Sequence, residues 1–203
     1  MTVLPLIFTS GLASGINAYA VVLLLGLLGR FADADSVPQA LERTDVLIVA
    51  GLLFVLEAVA DKIPYVDSVW DVVHTVIRPI AGATVGVLIA SNDPGSLSEV
   101  AAGAMGGASA LVSHLVKASL RMAVNTSPEP ASNIVVSMAE DLSVAGLITL
   151  AIFHPWLAAT VAAVVLAAGL LLVWLAISRI RAFRARRRER RATRAAGGAQ
   201  ASS

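Results

Sequence analysis

The chain has 203 residues, 57% of them hydrophobic and 14% charged, and a mean hydropathy of +0.81, values that an ordinary water-soluble domain does not reach. It contains no cysteine, which excludes a disulfide framework, a thiolate metal site and a thiol nucleophile. The net charge of +1 conceals an asymmetry: from Arg179 onward nine Arg face one Glu, whereas Met1 to Ser178 carries six Lys and Arg against thirteen Asp and Glu.

Six apolar segments follow one another: Leu4 to Leu28, Val46 to Ala60, Val69 to Ala90, Val100 to Val124, Asn133 to Phe153 and Trp156 to Ser178. Each is close to the length that crosses about 30 Å of hydrocarbon. They predict an all-α membrane protein of about six transmembrane helices, with a membrane domain over 1–178 and a basic, partly disordered cytoplasmic tail over 179–203. No basic stretch precedes the first segment, which argues against a cleaved signal peptide. The second segment is short and ends at Asp61-Lys62-Ile63-Pro64. The third carries Pro79, which removes a helix hydrogen bond, so a broken or re-entrant third segment is expected. The Arg-rich tail follows the sixth segment directly and should be cytoplasmic. With six crossings the N-terminus is then cytoplasmic too, and the expected location is the cell membrane.

Ionisable side chains punctuate these segments. Glu57, Asp61, His74, Arg78, Lys117, Arg121, Glu140 and Asp141 lie inside or at the edges of sequence that belongs in a bilayer, where a charge costs roughly 2.5 to 3.5 kcal/mol or more. Such groups usually face a protein interior or a water-filled path. Helical spacing sorts them into faces. In the fourth segment Gly103, Gly107, Ala110, His114, Lys117 and Arg121 form one stripe, small at one end and cationic at the other. Asp67, Asp71, His74, Arg78 and Gly82 form a second stripe, and Glu57 stacks on Asp61. Asn133, Ser137 and Glu140 share a face, with Asp141 beside it. Acids of the second and fifth segments are thus expected to pair with cations of the third and fourth. For Lys117, Arg121 and Asp61 the plainer alternative is snorkelling to the interface; for Arg78, Glu140 and Asp141 it is a purely structural buried ion pair.

The stretch Gly11 to Ala18 aligns with Gly103 to Ala110, matching both glycines, an alanine and a small polar residue. Halves of three segments each would make a 3+3 inverted repeat, the plan of many secondary transporters. The pairs Gly11-Gly15, Gly82-Gly86 and Gly103-Gly107 also match ordinary small-residue helix packing.

The runs Gly15-Ile-Asn-Ala-Tyr19, Ala60 to Ala83 (ADKIPYVDSVWDVVHTVIRPIAGA), Lys117-Ala-Ser-Leu-Arg121, Asn125-Thr-Ser127 and Asn133 to Asp141 resemble the uncharacterised membrane proteins grouped as domain of unknown function 4126. The resemblance covers about Ser10 to Pro155. It implies that the charged positions belong to the family signature and that the Arg-rich tail lies outside it, but it brings no settled activity.

Function therefore rests on the charged set. A patch of Arg78, Lys117, Arg121 and His74, with Asn125 and Asn133, would bind phosphate or carboxylate. Glu57, Asp61, Glu140 and Asp141 would pair those cations or carry coupling ions. This describes a small transporter or lipid-phosphate translocator. The alternatives are an assembly subunit, in which the charges fix helix register, and a membrane-embedded enzyme using a divalent metal on Asp67 and Asp71. HExxH, Gly-x-Ser-x-Gly and phosphate-loop motifs are absent from the sequence, and no cofactor is expected. The expected partners are membrane lipids, with anionic headgroups at the tail, and a second copy of the chain. Nucleic acid is disfavoured, because the tail lacks aromatic interleaving beyond Phe183.

Overall fold

The computed structural model describes residues 3–32, 34–63, 66–93, 97–124 and 130–200, and their side chains except at 67–68, 123–124, 130–133 and 185–200. The described chain is helical: α1 (Val3–Ser14), α2 (Ala18–Ala32), a single 3-10 turn (Gln39–Leu41), α3 (Thr44–Ala60), α4 (Val66–Asn92), α5 (Glu99–Val124), α6 (Pro130–Phe153) and α7 (Pro155–Gln200). Four stretches are long and apolar enough to cross a membrane: Val69–Asn92, Glu99–Met122, Ile134–Phe153 and Pro155–Arg184.

The first apolar segment, expected as one span, is two short helices. The chain breaks at Gly15-Ile16-Asn17, where Asn17 Oδ1 accepts the Ala20 amide at 2.9 Å and caps α2. At 1.5 Å per residue the two helices are about 18 and about 22 Å long, each short of the hydrocarbon thickness. They form a hairpin. Moving along α1, Ile7 lies beside Gly86 and Ala102, Gly11 against Gly106 and Ser109, and Gly15 against Ala110, Ser113 and His114. α1 therefore runs along α5 in the same direction. α2 then doubles back. Tyr19 and Val22 share a cleft with Ala81, Val85 and Leu88 of α4, and beyond the helix the Asp35 carbonyl accepts from Asn92 Nδ2 at 3.0 Å, at the C-terminal end of α4.

The third apolar segment is not broken. α4 continues through Pro79 from Val66 to Asn92; the proline gives up one backbone hydrogen bond without ending the helix. α4 and α5 pack through small residues. A methyl at Gly106 would run into the Gly82 carbonyl and lie 3.5 Å from Gly86 Cα, so the two backbones touch, as small-residue crossings in membranes allow. The Gly11–Ala18 and Gly103–Ala110 stretches adopt different backbones, one a helix break and the other continuous helix. They resemble each other in composition because they pack face to face, Gly11 on Gly106 and Gly15 on Ala110.

The chain divides into two units, Met1–Leu166 and Ala167–Ser203. In the first, an apolar core joins Leu6, Ile7, Val21, Leu25, Val85, Ile89, Ala102, Val144 and Ile148, and Ala162 packs with Leu12 and Leu147. In the second, the helix extends to Gln200. Outward positions such as Leu52, Val55, Val72, Val76, Ile80 and Leu142 are exposed, while Glu57, Asp61, His74, Arg78, Lys117 and Arg121 are buried. Charge inside and aliphatic surface outside is the distribution that a hydrocarbon solvent selects.

Candidate functional site

Faces of four helices and one helix break build the site. On α3, Glu57 and the C-capping Asp61 stack one turn apart; on α5, His114, Lys117 and Arg121 repeat at steps of three and four. Asp71, His74, Thr75 and Arg78 occupy one face of α4, and Glu140 and Asp141 project from α6. The interruption at Gly15-Ile16-Asn17 frees two carbonyls at the C-terminal, electronegative end of α1, and both are taken by cations. Arg78 donates to the Gly15 carbonyl at 3.3 Å, and Lys117 to that of Ile16 at 2.9 Å.

The inner cluster centres on Arg78, which is fully buried. One guanidinium nitrogen donates to Glu57 Oε1 at 2.5 Å; the other reaches Asp71 Oδ1 at 3.3 Å and His114 Nδ1 at 2.8 Å. Because a guanidinium only donates, His114 Nδ1 must accept, which makes the ring neutral with its proton on Nε2. That Nε2–H lies 3.0 Å from Thr75 Oγ1, whose own hydrogen goes to the Asp71 carbonyl at 2.9 Å. His74 is fixed the other way: its Nδ1–H donates to the Trp70 carbonyl at 2.9 Å. Trp70 lies against the His74 ring at 4.9 Å, and Tyr19 meets it edge-on at 5.6 Å. Among the described residues Glu57 Oε2, His74 Nε2, Arg78 Nε and Asp61 Oδ1 are buried without hydrogen-bond partners.

The second cluster joins α3, α5 and α6. Asp61 Oδ2 accepts from Lys117 and from Arg121, each at 3.1 Å, and the Asp61 carbonyl accepts from Arg121 at 2.9 Å. Glu140 takes Arg121 in a two-pronged pair at 3.2 and 2.5 Å and lies 3.3 Å from Lys117, the geometry in which Arg recognises carboxylates best. The two acids differ in access, since the Asp61 side chain is 3% exposed and that of Glu140 18%. Beside them Asn17 Nδ2 donates to Asp141 Oδ1 at 3.1 Å and ties the helix break to α6.

The structure thus gathers Arg78, Lys117, Arg121, His74, Glu57, Asp61, Glu140 and Asp141 around the hairpin tip. Lys117 and Arg121 are buried within the protein and bonded to Asp61. Asp71 belongs to the network as a partner of Arg78. The side chains of Asp67, Asn125 and Asn133 lie outside the described residues. Among the described residues no three His, Asp or Glu side chains are grouped to hold a metal ion. Sequence reasoning assigned no site role to Asn17, to the Gly15 and Ile16 carbonyls or to Thr75. The available signal was Gly15-Ile16-Asn17 itself, a glycine followed by a strong N-capping residue inside an otherwise unbroken apolar run.

A family model described as a domain of unknown function (DUF4126) matches residues 4–175. No curated protein and no solved structure matches the chain.

Proposed function

Since the chain belongs to the family of domain of unknown function 4126, which brings no activity with it, we propose from the site itself that the protein is a small membrane transporter for an anionic, phosphate- or carboxylate-bearing cargo. The observation that carries this reading is the unequal pair of acids on Lys117 and Arg121. Asp61 holds both cations from the buried side, while Glu140 holds them from the side with partial access. A cargo phosphate or carboxylate has the same acceptor geometry as Glu140 and would replace it on the Arg121 fork. The broken α1–α2 hairpin beside the site supports the reading, because carriers commonly build their sites from interrupted helices whose ends face ions.

The hairpin also supports a topology of five crossings by α3 to α7. The Arg-rich tail is proposed to be cytoplasmic, and the cell membrane remains the proposed location. A second reading is favoured by Arg78, which is fully buried and already bonded to Glu57, Asp71, His114 and Gly15. Such a group fixes helix register, as expected of an assembly subunit.

Purified protein in proteoliposomes, assayed for uptake of labelled inorganic phosphate and of small carboxylates, tests the proposal. Flux that is lost in Arg121→Gln, while folded protein is retained, supports it. Absence of flux across that panel, or loss of folded protein in step with activity, favours the assembly reading.

A further inference from the structure

Glu57 and Asp61 each keep one buried carboxylate oxygen without a hydrogen-bond partner among the described residues. They differ in charge balance: the other oxygen of Asp61 accepts from two cations, Lys117 and Arg121, whereas the fully buried Glu57 is engaged by Arg78 at 2.5 Å, a cation that it shares with Asp71. A carboxylate oxygen withdrawn from water and left without a donor is among the costlier arrangements in a protein interior, more so in a bilayer. The charge balance around it points the same way. Arg78 is bonded to two carboxylates, Glu57 and Asp71, while His114 is held neutral by its hydrogen bonds. The inner cluster is therefore one negative charge in excess, and one proton makes it neutral. A metal ion would need several converging oxygens, whereas a proton needs a single lone pair.

Resting on the transporter reading above, we propose that Glu57 reversibly binds a proton on its free oxygen and that this proton is the coupling ion for cargo movement. The position suits the role. Arg78 lies about 21 Å from the Asn92 end of α4 and about 18 Å from its Val66 end, so its partner Glu57 sits near mid-depth. The groups facing Glu57 are Tyr19 of α2, Asp61 on its own helix, Asp71, His74 and Arg78 of α4, and His114 and Lys117 of α5. His74 offers a further acceptor without a partner among the described residues, Nε2, one turn from Arg78 along α4, and gives an arriving or leaving proton a second place to rest. When Glu57 is protonated, Arg78 keeps Asp71 as its charged partner among the described residues, which loosens the tie between α3 and α4 beside the hairpin tip.

The test uses the full chain in lipid nanodiscs and two readouts. Infrared difference spectra between acid and alkaline buffer should show the carbonyl stretch of a buried protonated carboxylic acid, lost in Glu57→Gln and retained in Asp71→Asn. Independently, a hydrophobic carbodiimide, which adds to protonated carboxyls, should modify wild-type Glu57, faster as pH falls; this readout does not depend on a variant that folds. A band that survives Glu57→Gln, or a Glu57 that stays unmodified at every pH, overturns the proposal. The two readings fail separately: cargo flux indifferent to an imposed pH gradient would leave a transporter without this coupling, and a titrating Glu57 without any flux would leave a proton site and remove the coupling role.

Discussion

Arg78 shows what one side chain costs and organises. It is bonded to acceptors from α3, α4, α5 and the hairpin tip, so removing its charge leaves Glu57 and Asp71 buried and uncompensated. Arg78→Ala is expected to destabilise the fold by about 3 to 5 kcal/mol, the usual cost of breaking a buried ion pair from one side, seen as a lower melting temperature in detergent. Arg78→Ala with Glu57→Gln should recover part of that loss, and a double variant no more stable than the single one would refute the pairing. Asn17 is a smaller case. Asn17→Ala removes both the α2 cap and the link to Asp141 and should cost about 1 kcal/mol by the same measurement. The sequence made the charged residues visible, because ionisable groups in apolar runs are rare by composition alone. It placed Asp71 and Arg78 on one helix face without pairing them, and it did not reveal that His114 accepts from Arg78, since that bond joins positions thirty-six residues apart through a packing that no local pattern encodes.

Helix identity was legible where hydrophobicity ran unbroken, and misleading where it ran too smoothly. Leu4 to Leu28 is long and apolar enough to suggest one span, yet a three-residue interruption turns it into two helices. Pro79 is the stronger helix breaker by propensity, yet α4 runs on through it, held by small-residue contact with α5 along Gly82 and Gly86. Packing decided both cases. That contact can be probed with two substitutions that are chemically alike: Gly106→Ala puts a methyl against the Gly82 carbonyl, whereas a methyl at Gly146 meets nothing within 4 Å. Gly106→Ala should lower the melting temperature, while Gly146→Ala should leave it unchanged or raise it, helix propensity favouring alanine by up to about 1 kcal/mol. Equal effects at the two positions would argue against close α4–α5 contact.

The hairpin predicts that Leu4 and Asp93 lie at the same end of the helices, and the absence of cysteine makes the matter simple to check. Single cysteines at Leu4 and at Asp93 should react with a membrane-impermeant thiol reagent from the same side of sealed vesicles; labelling from opposite sides would argue against the hairpin. Positive charge in the tail is the signal from which a cytoplasmic C-terminus is proposed. Nothing comparable marked the N-terminal hairpin, because α1 carries no charge at all. The same hairpin constrains biogenesis. α1 and α2 are each too short to cross, and the carbonyls at their junction are taken by Arg78 and Lys117, residues that leave the ribosome long after the hairpin does. The hairpin, which is synthesised before α4 and α5, therefore cannot reach its final place until they have been inserted, and must wait at the membrane surface or in the insertion machinery. Translation stalled between α3 and α5 should yield a chain whose N-terminal region remains open to protease.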